Sequence, residues 1–227
     1  NSNLGSFEPN TNGFCDISKY SLLKSRTGRM TIIDGPAILG LEKKYRNILT
    51  SRFGEGKGTL WYLDFISLEP RFLKMNDLLY SVCTGYPPPC NVSNNLEIPK
   101  DIYSYMLKKT KLTNSKITRE MVKKLVLWQC YGMKKETIIK FLQKNSIDHP
   151  EDIYDIIEDF YGLKNLKLKL NIELKNSKNG TMSNFYGRHI KVESQETYKL
   201  PNYFAQSSSV DVALLGFSKI IDKINSV

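Results

Sequence analysis

The sequence predicts an α/β chain of the α+β kind, with a block of helices set into a partial antiparallel sheet. Three observations predict it. The first third holds short β-forming runs broken by Gly, Pro and Asn, at residues 30–33 and 59–63. The middle, residues 101–161, holds four successive helical patterns. The last third holds an alternating apolar run, a turn signal and one long helix.

Residues 1–20 are polar and rich in Asn, Ser and Gly, which predicts loop with a short strand near 13–17. Residues 30–33 (Met-Thr-Ile-Ile) predict a strand that Asp34-Gly35-Pro36 breaks. Residues 54–58, Gly-Glu-Gly-Lys-Gly, predict a flexible turn. Residues 59–63, Thr-Leu-Trp-Tyr-Leu, follow as a strand expected to be buried on both faces. Pro70 is tolerated at a helix start, so a helix is expected over about 70–80. The Pro-rich stretch 84–100 reads as a loop. Helices are expected over about 101–109, 118–131, 134–144 and 150–161. Residues 163–174 fit two templates: Leu166, Leu168, Leu170, Ile172 and Leu174 alternate as in a strand, while Leu163, Leu166, Leu170 and Leu174 form a helical stripe. Asn176-Ser177-Lys178-Asn179-Gly180 signals a turn, and a last helix runs from about 201 to 225.

With 227 residues the chain is long enough for a real core. The apolar share of 41% and charged share of 25% are ordinary for a globular protein. The net charge of +10 favours a polyanionic partner, nucleic acid first, over a merely lysine-rich surface. The cysteines Cys15, Cys83, Cys90 and Cys130 form no C-x-x-C pair, and only His149 and His189 stand beside them as further ligands. A structural zinc site is not expected, and the thiols read as reduced and cytosolic. The longest apolar run, near 212–217, is too short to span a bilayer, and no signal peptide is visible, so no membrane partner is expected.

Two features carry chemistry. Asp64 ends the apolar run, where a carboxylate can hold Mg²⁺ for phosphoryl transfer or can simply cap a turn. Thr118 is a good N-cap, and Arg119, Lys123, Leu127 and Tyr131 then recur every fourth residue along one helical stripe before Gly132 ends it. Two cations on one stripe suit a polyphosphate; the same pair also suits a solvated basic face.

In order along the chain, these segments resemble the motifs of family A DNA polymerases, the DNA polymerase I type. Thr27-Gly28-Arg29 matches the family's T-G-R. Asp64, Glu69 and Arg71 match motif A, D-Y-S-Q-I-E-L-R, with Phe65 for Tyr and Leu68 for Ile. Arg119, Lys123, Tyr131 and Gly132 match motif B. Residues 180–188 resemble G-Y-V-x-T-x-x-G-R, and Asn202, Gln206 and Asp211 resemble N-x-x-x-Q-G-T-A-A-D. The resemblance covers about residues 7–225.

It implies a right-hand polymerase with helical fingers inserted in a partial antiparallel palm sheet. Residues 1–80 would be partial palm, 81–190 fingers, and 191–227 the palm helix before motif C. The implied reaction is nucleotidyl transfer from a dNTP to a primer 3′-OH on a template, with two Mg²⁺ ions. Asp64 would be catalytic and bind both metals, assisted by the Phe65 carbonyl. Arg119 and Lys123 would grip the triphosphate, with Leu127 beside the sugar. Glu69, hydrogen-bonded to Tyr131, would be the steric gate against a ribose 2′-OH. Arg29, Gly132, Asn202 and Gln206 would contact primer–template DNA.

The sequence departs from the family at several points. Leu127 replaces an aromatic residue. Asp101-Ile102-Tyr103 stands for D-I-H, so Tyr103 replaces a phosphate-contacting His. Ser207-Ser208 replace Gly-Thr, and residues 34–41 run where N-L-Q-N should be. Residues 1–227 contain no counterpart of motif C, H-D-E, which supplies the second metal-binding Asp. The expectation is therefore a divergent, phage or bacterial polymerase portion, cytoplasmic or organellar. Another polypeptide or chain segment would supply motif C, thumb and exonuclease. The alternative expectation is a catalytically inactive polymerase-like subunit that binds nucleic acid.

Overall fold

The computed structural model of the chain describes residues 5–51, 53–54, 58, 60–84, 98–113 and 116–225. The chain divides into two units, Asn1–Phe65 and Ile66–Val227.

In the first unit, β1 (Lys19–Ser21) pairs antiparallel with β2 (Thr31–Asp34). Tyr20 lies opposite Ile32, and the register shifts between Lys19 and Tyr20. Lys19 Nζ closes the open end on Asp34 Oδ2 at 2.8 Å. β2 falls where the β-branched run predicts it. The strand expected at 13–17 does not form: Asn10 Oδ1 accepts the Asn12 and Phe14 N–H groups and folds that segment into a turn. The partner strand forms two residues later instead. Short 3-10 turns at Ile38–Gly40 and Lys43–Ile48 complete the unit.

The strand expected over 59–63 is overturned where it is described. Residues 60–65 have no regular structure. Leu60, Trp61, Tyr62 and Leu63 are all exposed, Trp61 at 81%. Strand propensity is realised only against a neighbouring strand, and β2 pairs with β1 alone among the described residues. The Thr59 end of that expectation and most of the 84–100 loop lie outside the described residues, as does Cys90.

The second unit is helical. It comprises α1 (Leu68–Thr84), α2 (Ile102–Lys111), α3 (Arg119–Cys130), α4 (Lys135–Lys144), α5 (Pro150–Phe160), α6 (Leu163–Asn176) and α7 (Leu200–Asn225). A hairpin of β3 (Thr181–Ser183) and β4 (His189–Lys191) sits between α6 and α7, with Met182 opposite Ile190. The fold class is therefore mixed but helix-dominated, with two small antiparallel two-stranded sheets among the described residues. No described helix is long and apolar enough to cross a membrane.

One core fills this unit. Leu73 of α1, Met106 of α2, Val122 and Leu125 of α3, Ile138 of α4 and Ile157 of α5 are all fully buried. α1 begins two residues before Pro70; a proline in the first turn costs no hydrogen bond, since those N–H groups have no partner in the helix. The ambiguous run 163–174 is helix. Leu163, Leu166 and Leu170 are buried, while Leu168 and Ile172 face solvent. The helical stripe wins because it packs against α5, α7 and the β3 strand. A largely buried lysine ties α1 to α5: Lys74 Nζ donates to Asp77 Oδ2 of its own helix and to the Phe160 carbonyl of α5, both at 2.8 Å. Gly162 makes this possible. Its φ is +59°, and a Cβ there would lie 2.0 Å from Asp77 Oδ1.

Candidate functional site

The site is built on α3. Thr118 caps this helix as predicted, its Oγ1 accepting the Met121 N–H at 3.3 Å. Val122, Leu125, Val126, Gln129 and Cys130 face the core. Arg119 and Lys123 are left on the exposed side, four residues apart, with Cβ atoms about 5–6 Å from each other by helix geometry. Leu127 and Tyr131 continue the stripe half-buried.

Gly132 ends α3 with φ +79°. Gly132 N–H donates to the Gln129 carbonyl at 3.0 Å and Met133 N–H to the Trp128 carbonyl at 2.9 Å, a Schellman cap. A Cβ at Gly132 would lie 2.2 Å from the Tyr198 carbonyl oxygen. Glycine is thus required twice, by handedness and by space. It seats the Tyr131–Gly132 corner on the chain entering α7.

Arg119 is not idle. Its Nη2 donates to both carboxylate oxygens of Asp101, at 3.1 and 3.2 Å, and its Nε reaches Oδ2 at 3.3 Å. Nε also lies 3.2 Å from Ser104 Oγ. The same Asp101 carboxylate is the N-cap of α2, accepting the Tyr103 and Ser104 N–H groups at 3.1 and 3.0 Å and the Ser104 hydroxyl at 2.7 Å. The Ser104 hydroxyl and backbone, then the Arg119 guanidinium, hold its pKa down to about 2. Lys123 makes no ion pair among the described residues.

Tyr103, at the position where the resemblance places a phosphate-contacting histidine, points inward. It is buried, and Ser67, which sits at φ +52° just before α1, partly offsets the effect of that burial on its phenol. Burial raises its phenol pKa. Its ring lies 5.7 Å beneath the Arg119 guanidinium carbon, a cation–π contact. Glu69 occupies the first turn of α1, half-buried and favourably placed in the helix dipole. Deep burial, and after it the negative charge of Glu69, push the Cys130 thiol well up, so that thiol is inert. The starts of α1, α2 and α3 thus gather Ser67, Glu69, Tyr103 and Arg119, with Cys130 beneath them.

The segments 180–188 and 202–211 also come together. Arg188 Nη2 and Nε pair with Asp211 at 2.5 and 3.3 Å. Asn184 Nδ2 donates to Asp211 Oδ2 at 2.6 Å and to Ser207 Oγ at 3.0 Å. Phe185 N–H donates to Ser208 Oγ at 3.0 Å. Ser207 and Ser208 therefore fasten the hairpin turn to α7. Asn202 and Gln206 lie one turn apart on α7, half-buried, and Asn202 Oδ1 is buried without a hydrogen-bond partner.

Arg29, Asp64 and Phe65 belong to the first unit. Arg29 is exposed just before β2, Asp64 is exposed in irregular chain, and Phe65 is half-buried. A two-Mg²⁺ site needs several oxygen donors on each ion. Asp64 and the Phe65 carbonyl supply two, and no group of three or more His, Cys, Asp or Glu side chains among the described residues is placed to hold a metal. The described donors do not make that site by themselves.

Sequence reasoning missed Asp101 as the partner of Arg119 and Ser207-Ser208 as anchors. The sequence singled out Asp101 only as the first residue of the segment standing for D-I-H. It also missed a cleft of about 540 Å³ between α1, α6, the hairpin and α7, lined by Leu79, Leu170, Phe185 and Phe204 among others; no predicted site residue lines it. Comparison with protein-family models, curated proteins and solved structures found no match to this chain.

Proposed function

We propose that this chain is part of a DNA-directed DNA polymerase that holds the incoming nucleotide and the primer–template. The observation that carries the reading is the exposed Arg119–Lys123 stripe, fixed by the Thr118 cap at one end and the Gly132 seat at the other. Two cations one turn apart match the phosphates of a nucleoside triphosphate. In the proposed reaction the primer 3′-oxygen attacks the α-phosphorus, a P–O bond forms, and the bond to the leaving pyrophosphate breaks. Arg119 and Lys123 stabilise the negative charge that gathers on the leaving phosphates. Glu69 and Tyr131 lie on the elements that begin and end beside this stripe. They carry the proposed sugar gate, in which Glu69 crowds a 2′-OH. The basic charge of +10 supports a nucleic-acid partner.

The experiment is nucleotide binding to the purified chain. A dNTP should bind more tightly than the corresponding monophosphate, and Lys123→Ala should weaken the triphosphate by about tenfold, in line with loss of a charge-assisted contact. Equal affinity for the two nucleotides, or no effect of Lys123→Ala, would return the stripe to an ordinary solvated face.

A second reading is a polymerase-like subunit that binds primer–template without chemistry. The net charge of +10 supports it, since holding nucleic acid needs no metal site. In the catalytic reading, another polypeptide or chain segment supplies the second carboxylate.

A further inference from the structure

The edge of Arg119 that a phosphate would take is filled by a carboxylate of the same chain. Asp101 accepts from Nη2 through both oxygens and from Nε through Oδ2. This is the two-pronged geometry by which a guanidinium also grips phosphate. Neither partner is sealed in: the Arg119 and Asp101 side chains are 43% and 46% exposed. An arriving anion can exchange with Asp101 without unfolding anything. Lys123, one turn along the same exposed stripe, has no ion pair among the described residues. The Tyr103 ring beneath the guanidinium supports it when the carboxylate leaves. Asp101 keeps an occupation in either state, because its backbone and Ser104 hydrogen bonds cap α2.

We propose that Asp101 is a specificity-determining residue of the anion subsite, its carboxylate holding the Arg119 fork until a polyphosphate that engages Arg119 and Lys123 together displaces it. The proposal rests on reading that stripe as a phosphate site and adds the residue that sets its threshold. A singly charged anion gains little, since it replaces one carboxylate on Arg119 by another of the same charge. A tri- or pyrophosphate brings several charges and reaches Lys123 as well, so it wins the exchange.

The test is calorimetric titration of inorganic tripolyphosphate into the full chain, for the wild type, Asp101→Asn, Arg119→Ala, the Asp101→Asn/Arg119→Ala double variant, and Lys123→Ala. Asparagine caps a helix as well as aspartate does, so α2 is kept. Asp101→Ser, another good cap, repeats the test if the Asn variant unfolds. Asp101→Asn should tighten tripolyphosphate by about fivefold, the scale of a half-exposed ion pair no longer in competition. In the Arg119→Ala background the same substitution should change affinity by less than about twofold, because the competition acts through Arg119. A gain of equal size in both backgrounds would reduce Asp101 to a distant negative charge and overturn the proposal, as would no gain at all. Tripolyphosphate binding that Lys123→Ala weakens and Asp101→Asn leaves alone would sink the threshold while sparing the phosphate site. No binding by any variant would remove both.

Discussion

Arg188, at the foot of the β3–β4 turn, and Asp211, in the fourth turn of α7, form an ion pair that locks the hairpin to the last helix. Asp211 also takes an N–H from Asn184, whose Oδ1 in turn accepts the Tyr186 and Arg188 backbone N–H groups that shape the turn. Removing the carboxylate strands two donors at once. Asp211→Ala should cost about 1–2 kcal/mol in urea unfolding, less than a sealed pair would, since Arg188 is partly exposed and screened by solvent. Arg188→Lys should recover only part of the loss relative to Arg188→Ala, because an ammonium cannot reproduce the fork. A wild-type denaturation midpoint for Asp211→Ala would mean that the hairpin is held by packing alone.

Gly132→Ala should be among the most damaging single-methyl additions in the chain. The new Cβ would meet the Tyr198 carbonyl while the backbone holds φ at +79°. Strain of this kind costs about 1–3 kcal/mol before the clash is added. The loss should appear in thermal unfolding, together with weaker binding at the proposed nucleotide site, because Tyr131 and the end of α3 must shift. Gly132→Asn, which tolerates the left-handed region, should be no better, since the contact with Tyr198 is steric. A well-tolerated Ala would mean that the corner relaxes away from α7.

The Asp101 network predicts a pH signature. Its carboxyl titrates at about 2 in the folded chain, below its ordinary value of 3.8. A carboxylate with a depressed folded pKa contributes stability that is present above the unfolded value and is lost as pH falls through the folded one. The stability difference between wild type and Asp101→Asn should therefore be constant above about pH 5 and shrink between about pH 4 and pH 2. Urea unfolding at four pH values across that window measures it. A difference that persists unchanged to pH 2 would show that the carboxylate's charge plays no part.

Much of the helical unit was legible in the sequence because its signals are local. Thr118 and Gly132 mark the ends of α3 by cap chemistry alone, and α4 and α5 follow their apolar stripes. What was not legible depends on partners distant along the chain. The Leu60–Trp61–Tyr62–Leu63 run has the composition of a strand, but no described strand lies beside it. The 163–174 run satisfies two periodicities, and only the core chooses one face of α6. The Asp101–Arg119 pair joins two helices across 18 residues, and no spacing rule reads such a pair. Ser207 and Ser208 read in sequence as mere departures from a motif; their hydrogen bonds to the hairpin turn exist only in the folded chain.

The chain alone should bind primer–template DNA and transfer no nucleotide. With a net charge of +10, binding should weaken steeply with salt, each neutralised phosphate adding about 0.9 to the log–log slope. Arg29→Ala should lower that slope by about one phosphate and weaken binding uniformly across sequences. Asp64→Ala should leave affinity within about twofold, since one exposed carboxylate adds little to a contact made by cations. Primer extension separates the two functional readings. Mixed with a second polypeptide that brings an acidic hairpin, the wild-type chain should extend a primer and Asp64→Ala should not, because a group acting as charge develops is spent on the transition state rather than on binding. Extension by residues 1–227 alone would mean that the donors around Asp64 suffice without a partner. Extension that survives Asp64→Ala would take Asp64 out of the site and leave the Arg119–Lys123 stripe as a binding surface only.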